Sequence, residues 1–246
     1  VLVDQNLFNI FIKDITTLNK LGFIPIIVHG GGKRISDQLN KLGIKSEFIK
    51  GLRVTGKETI EVVEQVLIEF NQEIVEALKK QSCNSETINS KNNNIITVIK
   101  ENEELEFVGT PTKIDKTIID KIINDKKVPI IAPLGLDDNN QTYNINADTA
   151  AGSIAKKIEA RRLIIMSDVE GVLDNDKKLI SEINSSSIKN LIDNETITGG
   201  MIPKINNCLD VASNGVKGVV IIDGRKNHSL LFELLSDKGS GTLIRQ

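Results

Sequence analysis

Few residues of this chain have the type and spacing to do chemistry. Three glycines follow a histidine in His29-Gly30-Gly31-Gly32-Lys33, an arginine lies inside Gly51-Leu52-Arg53-Val54-Thr55, and a lysine closes Gly199-Gly200-Met201-Ile202-Pro203-Lys204. Two polar clusters, Asn144-Ile145-Asn146-Ala147-Asp148 and Ser167-Asp168-Val169-Glu170-Gly171-Val172-Leu173, complete the set. A glycine loop that feeds a helix presents backbone N–H groups with no intrahelical acceptor, next to the positive end of the helix dipole. Glycine also lets an anion approach the backbone closely. Arginine suits a bidentate carboxylate clamp, and a lysine near a helix start can reach a transferring phosphoryl group. No Ser-His-Asp set and no close carboxylate pair is evident. The inventory therefore suits phosphoryl transfer, in which the protein positions two anions and neutralises moving charge. Each group also has a plainer reading: the glycines as a tight turn, the Asn and Asp residues as caps, Arg53 and Lys204 as surface cations. The glycine run matches neither G-x-G-x-x-G nor G-x-x-x-x-G-K-[ST].

These residues need a scaffold, and the apolar pattern supplies one. Branched apolar runs predict strands over 24–28, 128–132, 163–166 and 219–222, with a short final strand over 241–244. Helical spacing of Leu7, Ile10, Phe11, Ile15, Leu18 and Leu21 predicts a first helix ended by Gly22, and further helices are expected over 35–42, 57–80, 114–123 and 188–192. Another helix opens after Asp148, one carries Leu209 and Val211, and a last one holds Leu230, Leu231 and Leu234. Residues 44–55 read as polar and irregular, and 81–94, rich in Asn and Ser, as a surface loop. Residues 95–108 have the look of a hairpin with the acidic turn Glu101-Asn102-Glu103-Glu104, either an ordinary edge ribbon or a projecting lid. Strands alternating with helices imply a largely parallel sheet between helical layers, and the polar clusters recur where strands end, the edge at which open α/β sheets bind ligands.

Composition narrows the function classes. At 246 residues the chain can bury a full core, as one large domain or two lobes. A net charge of −2 argues against a nucleic-acid binder held by phosphate contacts. Cys83 and Cys208 are isolated and read as reduced thiols, and two histidines, His29 and His228, are too few for a histidine-built metal centre, so no metal site is expected. No run reaches membrane-spanning length and no secretory leader is evident, so a soluble protein of a reducing compartment is expected. The abundance of Ile, Asn and Lys points to an AT-rich coding genome, in a bacterium or an organelle.

In order and approximate spacing, these five motifs resemble those of the acetylglutamate kinases, a branch of the amino acid kinase family. The resemblance extends to Gly241-Thr242. It implies a three-layer α/β/α sandwich with a mainly parallel central sheet, of the amino acid kinase and carbamate kinase kind. An N-terminal lobe (1–147, with a lid at 95–108) would bind the acyl amino acid, and a C-terminal lobe (148–246) would bind ATP. The implied reaction moves the γ-phosphoryl of ATP to the side-chain carboxylate of N-acetyl-L-glutamate, in arginine biosynthesis. Residue by residue, Gly31 and Gly32 would face the phosphoryl and acceptor oxygens, Arg53 would hold the α-carboxylate, and Asn144, with Asn146, would hold the acetylamino end. Lys204 would stabilise charge on the leaving side, and Asp148 would orient catalytic lysines. Asp168, Val169, Glu170, Gly171, Val172, Leu173, Thr196, Ile197 and Thr198 would line the nucleotide, whose phosphates would carry Mg²⁺. The implied partners are ATP and the acceptor, a homo-oligomer (dimer or hexamer), and arginine and the PII signalling protein as regulators, in the cytoplasm or a plastid stroma. One departure stands out: the family begins with a lysine-bearing strand and a Gly-Gly loop, whereas here Val1-Leu2-Val3-Asp4 resembles the residues just after it. The sequence then reads as a piece of a longer chain. Taken as written, impaired catalysis and a weakened sheet are expected, and the alternatives are a ligand-binding or regulatory homologue or a kinase of another small carboxylate.

Overall fold

The structure, a computed structural model, describes residues 4–246, so the reading of Val1-Leu2-Val3 lies outside it. In chain order the elements begin α1 (Gln5–Lys20), β1 (Ile27–Val28), α2 (Gly32–Lys41), β2 (Phe48–Ile49), β3 (Leu52–Arg53), α3 (Lys57–Lys80), β4 (Ser85–Ile88) and β5 (Ile96–Lys100). They continue with β6 (Gly109–Ile114), α4 (Lys116–Asn124), β7 (Val128–Ile131), β8 (Leu134–Leu136), β9 (Thr142–Asn144), α5 (Ala147–Lys157) and β10 (Leu163–Ser167). The last are β11 (Glu182–Asn184), α6 (Ser185–Asp193), α7 (Met201–Ser213), β12 (Val219–Asp223), α8 (Ser229–Leu235) and β13 (Thr242–Arg245). The chain forms two compact units, one of Ile15–Ala151 and one in which the residues up to Asp14 join Gly152–Gln246. The dividing points therefore fall inside α1 and α5 rather than at the 147/148 boundary expected from the motifs. Among the described residues no helix is long and apolar enough to cross a membrane.

In the Ile15–Ala151 unit, β1, β7 and β4 form an all-parallel sheet in that order, with β7 central and every residue of it buried. The helix α3 covers its apolar side over the predicted length, burying Leu67, Ile74 and Leu78. A second sheet runs β6-β5-β8-β9. Four expectations need correction here. The strand over 24–28 shrinks to β1, because Pro25 has no N–H to give a ladder, and among the described residues β1 pairs with β7 alone, with Ile24 64% exposed. The irregular 44–55 stretch contains the β2–β3 hairpin, closed by Lys50 (φ 48°) and Gly51 (φ 83°), the two positive φ angles that a two-residue turn between twisted strands requires. The 81–94 loop contains β4, whose polar residues become a strand by pairing with β7 from Ser85↔Val128 to Ile88↔Ile131. The 95–108 hairpin is instead β5 with β6, Lys100 opposite Gly109 and Ile96 opposite Ile114, so the helix expected from 114 starts at Lys116, capped by Asp115. Because β5 also pairs with β8, this ribbon is a member of a sheet, and Leu105 and Val108 are buried instead of projecting.

In the Gly152–Gln246 unit, β10 pairs parallel to β12, β12 antiparallel to β13, and β13 parallel to β11, a short strand the sequence did not announce. Ile205, Cys208 and Val211 of α7 pack in the same core as Val219 and Ile221 of β12. Cys83 and Cys208 are both buried, and neither forms a disulfide. Parallel strands joined through helices make this an α/β fold, as expected. The approach of β13 to β12 leaves no room at its start: a Cβ on Gly241 would overlap the Ile221 carbonyl oxygen, which is backbone and cannot swing away. Gly241→Ala should therefore lower stability by about 3 kcal/mol, the upper range for overpacking, read as a fall in the urea midpoint. An unchanged midpoint would contradict this packing.

Candidate functional site

The strand β1 ends at Val28 and α2 begins at Gly32, so His29, Gly30 and Gly31 form the turn between them. The His29 ring is buried, with Nδ1 3.1 Å from the Gly30 carbonyl and Nε2 3.1 Å from Asn71 Nδ2. Asn71 Nδ2 also donates to the Ile130 carbonyl at 3.0 Å. A carbonyl only accepts and an amide NH₂ only donates, so the proton of the neutral ring is on Nδ1 and its lone pair on Nε2. The carbonyls of the turn are all engaged: Gly30 O by His29, Gly31 O by Ile35 N at 2.9 Å, and Gly32 O by Arg53 Nη2 and Ser36 Oγ, each at 3.0 Å. Among the described residues the N–H groups of Gly30, Gly31 and Gly32 meet no protein acceptor. Tethered carbonyls and open amides at a helix start are the arrangement that holds an anion.

Burial pushes the His29 pKa down from 6.5 to about 4, with the Arg34 charge adding to the effect and the Gly30 bond opposing it. The unfolded chain takes up this proton near pH 6.5 while the folded one refuses it until near pH 4. Stability should thus be intact above pH 6.5 and decline through that window as pH falls, by about 3 kcal/mol for a shift of this size. Urea midpoints measured across pH 4 to 7 should show a shallower acid decline for His29→Gln than for the parent; equal slopes would mean that His29 titrates normally.

Arg53 reaches the same turn from the β2–β3 hairpin. Its guanidinium is buried and donates to Ser46 Oγ at 2.5 Å, Ser36 Oγ at 2.8 Å and Gly32 O, and lies 4.6 Å from the Phe48 ring centroid. Among the described residues no carboxylate pairs with it, and burial lowers its pKa. Thr55 Oγ1 donates to the Arg53 carbonyl at 2.9 Å and accepts from Asn144 Nδ2 at 3.2 Å. Phe107 bridges the same residues, its N–H to Thr55 O and its carbonyl to Asn144 N, both at 2.9 Å. Gly31, Gly32, Arg53 and Asn144 therefore belong to one hydrogen-bonded neighbourhood within the Ile15–Ala151 unit. Glu64 braces it: burial works to raise its pKa, but the Ser90 and Thr142 hydroxyls and Lys91 outweigh that and hold it low, tying β9 to α3. Asn146 caps α5, its Oδ1 accepting from the N–H groups of Asp148 and Thr149, and Asp148 is half-buried in the first turn. Ser36, Ser46 and Asn71 were not singled out in the sequence, where nothing distinguishes them from surface polar residues, and Thr55 was noted only as the end of the Arg53 motif.

The Gly152–Gln246 unit gathers a second polar group at the C-terminal ends of β10 and β12, where Ser167 lies beside Asp223. Asp168 is exposed, and Glu170 pairs with Lys226 at 3.2 Å. Asp223, also absent from the expected residues, is gripped by Arg225 through two bonds of 2.9 Å, which hold its pKa down. Gly171 has φ 139°, and a Cβ there would lie 2.5 Å from Thr242 Oγ1. Thr242 is why the approach is close: its hydroxyl accepts from Val172 N at 2.9 Å and donates to Ile180 O at 2.7 Å, fixing the loop that Val169 and Leu173 half-bury. Val172 and Ile197 are buried in the core, so only their backbone could face a ligand. Thr196 bonds Asn175, Thr198 is exposed, and Lys204 is half-buried in the first turn of α7.

The sequence profile of the amino acid kinase family matches residues 1–223. The chain is 69% identical over 246 residues to the acetylglutamate kinase of Pelagibacter ubique (strain HTCC1062), covering all of this chain and 85% of that one. It is 45% identical over 245 residues to the acetylglutamate kinase of Campylobacter fetus subsp. fetus (strain 82-40), covering 99% and 88%. A solved structure, smu.665 from Streptococcus mutans UA159, is similar at 30% identity and a TM-score of 0.83, covering 95% of this chain and 91% of that one. With its glycine turn, Arg53 loop and α7 lysine on this scaffold, the chain belongs to the acetylglutamate kinase branch of the amino acid kinase family.

Proposed function

We propose that the protein phosphorylates the side-chain carboxylate of N-acetyl-L-glutamate with ATP, giving N-acetyl-L-glutamyl 5-phosphate and ADP in arginine biosynthesis. The observation that carries the acceptor assignment is the glycine turn, beside a buried guanidinium that meets no carboxylate among the described residues. An acyl amino acid brings the missing carboxylate. In this reading Arg53 holds the α-carboxylate, and Asn144 holds the acetylamino group with Asn146, whose Nδ2 is not used in capping. The amides of Gly31 and Gly32 face the attacking and transferring oxygens. The ionised acceptor attacks the γ-phosphorus as the bond to the β-phosphate oxygen breaks, so no base is needed and the protein's work is alignment and charge neutralisation. Lys204 stabilises charge on the leaving side, and Asp148 orients cationic side chains.

The Ile15–Ala151 unit would take the acceptor and the Gly152–Gln246 unit the nucleotide, along Asp168, Val169, Glu170, Gly171, Val172 and Leu173 and past Thr196, Ile197 and Thr198. Support comes from the position of that loop at the C-terminal ends of parallel strands, where such sheets bind ligands. The segment 101–108, tied to Thr55 and Asn144, would cover the acceptor. In this reading Mg²⁺ would arrive on the ATP phosphates with its waters. The reading extends to a cytoplasmic homo-oligomer, dimer or hexamer, regulated by arginine and PII, on the strength of the family resemblance; light scattering with and without each effector tests it.

The deciding assay offers N-acetylglutamate, glutamate, aspartate, carbamate and UMP in parallel, following ADP release and trapping acyl phosphate with hydroxylamine. N-acetylglutamate should be preferred and should yield a hydroxamate. Preference for any other acceptor would overturn the roles given to Arg53 and Asn144.

A further inference from the structure

We infer that His29 is a positioning residue that aims the Gly31 amide at the transferring oxygens by holding the Gly30 carbonyl. The inference rests on the acceptor site proposed above. A trans peptide is planar, so the carbonyl of Gly30 and the N–H of Gly31 share one rigid plane and point in opposite directions. Whatever fixes the first fixes the second. The bond from His29 Nδ1 to Gly30 O, 3.1 Å long, is the only one the described residues give that carbonyl. Glycine on both sides leaves the plane otherwise free to rotate. The ring in turn has little freedom of its own. Its Nε2 accepts from Asn71 Nδ2, which is locked to the Ile130 carbonyl of β7, and its face meets the Phe70 ring edge-on at 5.1 Å. Arg34, whose charge opposes protonation of the ring, is held in place by Glu73 through bonds of 2.6 and 3.1 Å. The imidazole therefore stays neutral with a single proton, on the nitrogen that faces the glycine turn. A histidine was needed because the position asks for a donor towards the loop and an acceptor towards α3 on one rigid ring, and no other side chain offers both. Asn71 Oδ1, buried and without a partner, marks how far this core asparagine is committed to the two groups on its other atom.

Two substitutions separate aiming from packing. In His29→Asn the side-chain amide lies near the former Nδ1 and can still donate to Gly30 O, whereas in His29→Gln it lies near the former Nε2 and cannot. Both lose the ring against Phe70, so both should lose similar thermal stability. With KM for ATP and acceptor little changed, kcat should stay within about fivefold of the parent for His29→Asn and fall about a hundredfold for His29→Gln, the scale expected when a reacting contact is displaced by an ångström. Equal kcat in the two variants would overturn the inference and leave His29 a packing residue. A parent protein that turns over no N-acetylglutamate would overturn the functional reading instead. In that event, or if either variant does not fold, ¹⁵N imidazole spectra of the parent at pH 7 decide: protonated Nδ1 and bare Nε2 support the assignment, and protonated Nε2 refutes it.

Discussion

Exchanging Lys204 for alanine should lower kcat about a thousandfold, while KM for ATP and for the acceptor moves only a few-fold. A loss of that size is about 4 kcal/mol, the upper range for removing one preorganised group from charge that develops in a transition state. The reason to expect it in kcat is that the substrates are already charged when they bind, whereas the charge on the bridging oxygen grows only as the bond to the γ-phosphorus lengthens. Lys204 lies in the first turn of α7, where the backbone supplies no side-chain cap and the next inward residues, Ile205 and Cys208, anchor the helix in the core. That anchoring keeps the lysine's origin fixed. Alanine is a good helix former, so α7 should persist in the variant. Lys204→Arg should recover part of the activity, because it keeps the charge but spreads it over a planar fork. Initial-rate kinetics at saturating ATP and varied acceptor, then the reverse, settle the matter. A mutant whose KM rises while kcat is kept would place Lys204 in ground-state binding and remove it from the transfer step.

The elements that proved readable from sequence are those whose own residues fix their geometry. The helix α3 was read over its full length because apolar residues recur with helical spacing for about five turns, from Ile60 to Leu78. The strands β7 and β12 declare themselves as short runs dominated by Val and Ile between turn residues. The elements that escaped are made by partners distant in the chain. Ser85-Glu86-Thr87 has no apolar signal, and it becomes a strand only because β7 presents an open edge. The Gly-Thr-Pro-Thr-Lys run of β6 reads as loop, yet β5 pairs with it instead of with Leu105-Glu106-Phe107-Val108, whose apolar residues go to the core beside Thr55 and Asn144. The candidate site divides along the same line. Glycines, Arg53 and Lys204 are visible because their types are unusual for where they stand. Their supports are not: Ser36 and Ser46 come to Arg53, Asn71 to His29 and Thr242 to Val172 only when sequence-distant elements pack together.

Replacing Arg53 by methionine should raise the KM for N-acetylglutamate at least about a hundredfold, leave KM for ATP alone, and cost little or no stability. The two halves of this expectation have one cause. Among the described residues the buried guanidinium has neutral partners, Ser46, Ser36 and the Gly32 carbonyl, so it has given up water without a counter-charge from them, and the lowering of its pKa by burial expresses that cost. Methionine keeps an apolar stem against Phe48 and removes the uncompensated charge, so the free protein loses some hydrogen bonds but is relieved of a desolvated cation. The liganded protein has no such relief. In the proposed complex the acceptor's α-carboxylate would neutralise Arg53, and breaking a desolvated charge pair costs about 2–5 kcal/mol, which sets the size of the expected KM effect. Arg53→Lys should fall between, since one ammonium cannot serve Ser46, Ser36 and a carboxylate in the same plane. Thermal shifts provide a check that does not depend on turnover: N-acetylglutamate should raise the melting temperature of the parent and leave that of Arg53→Met where it is. An Arg53→Met protein that is strongly destabilised, or that binds the acceptor as the parent does, would mean the guanidinium serves the fold of the glycine turn and not an anion held against it.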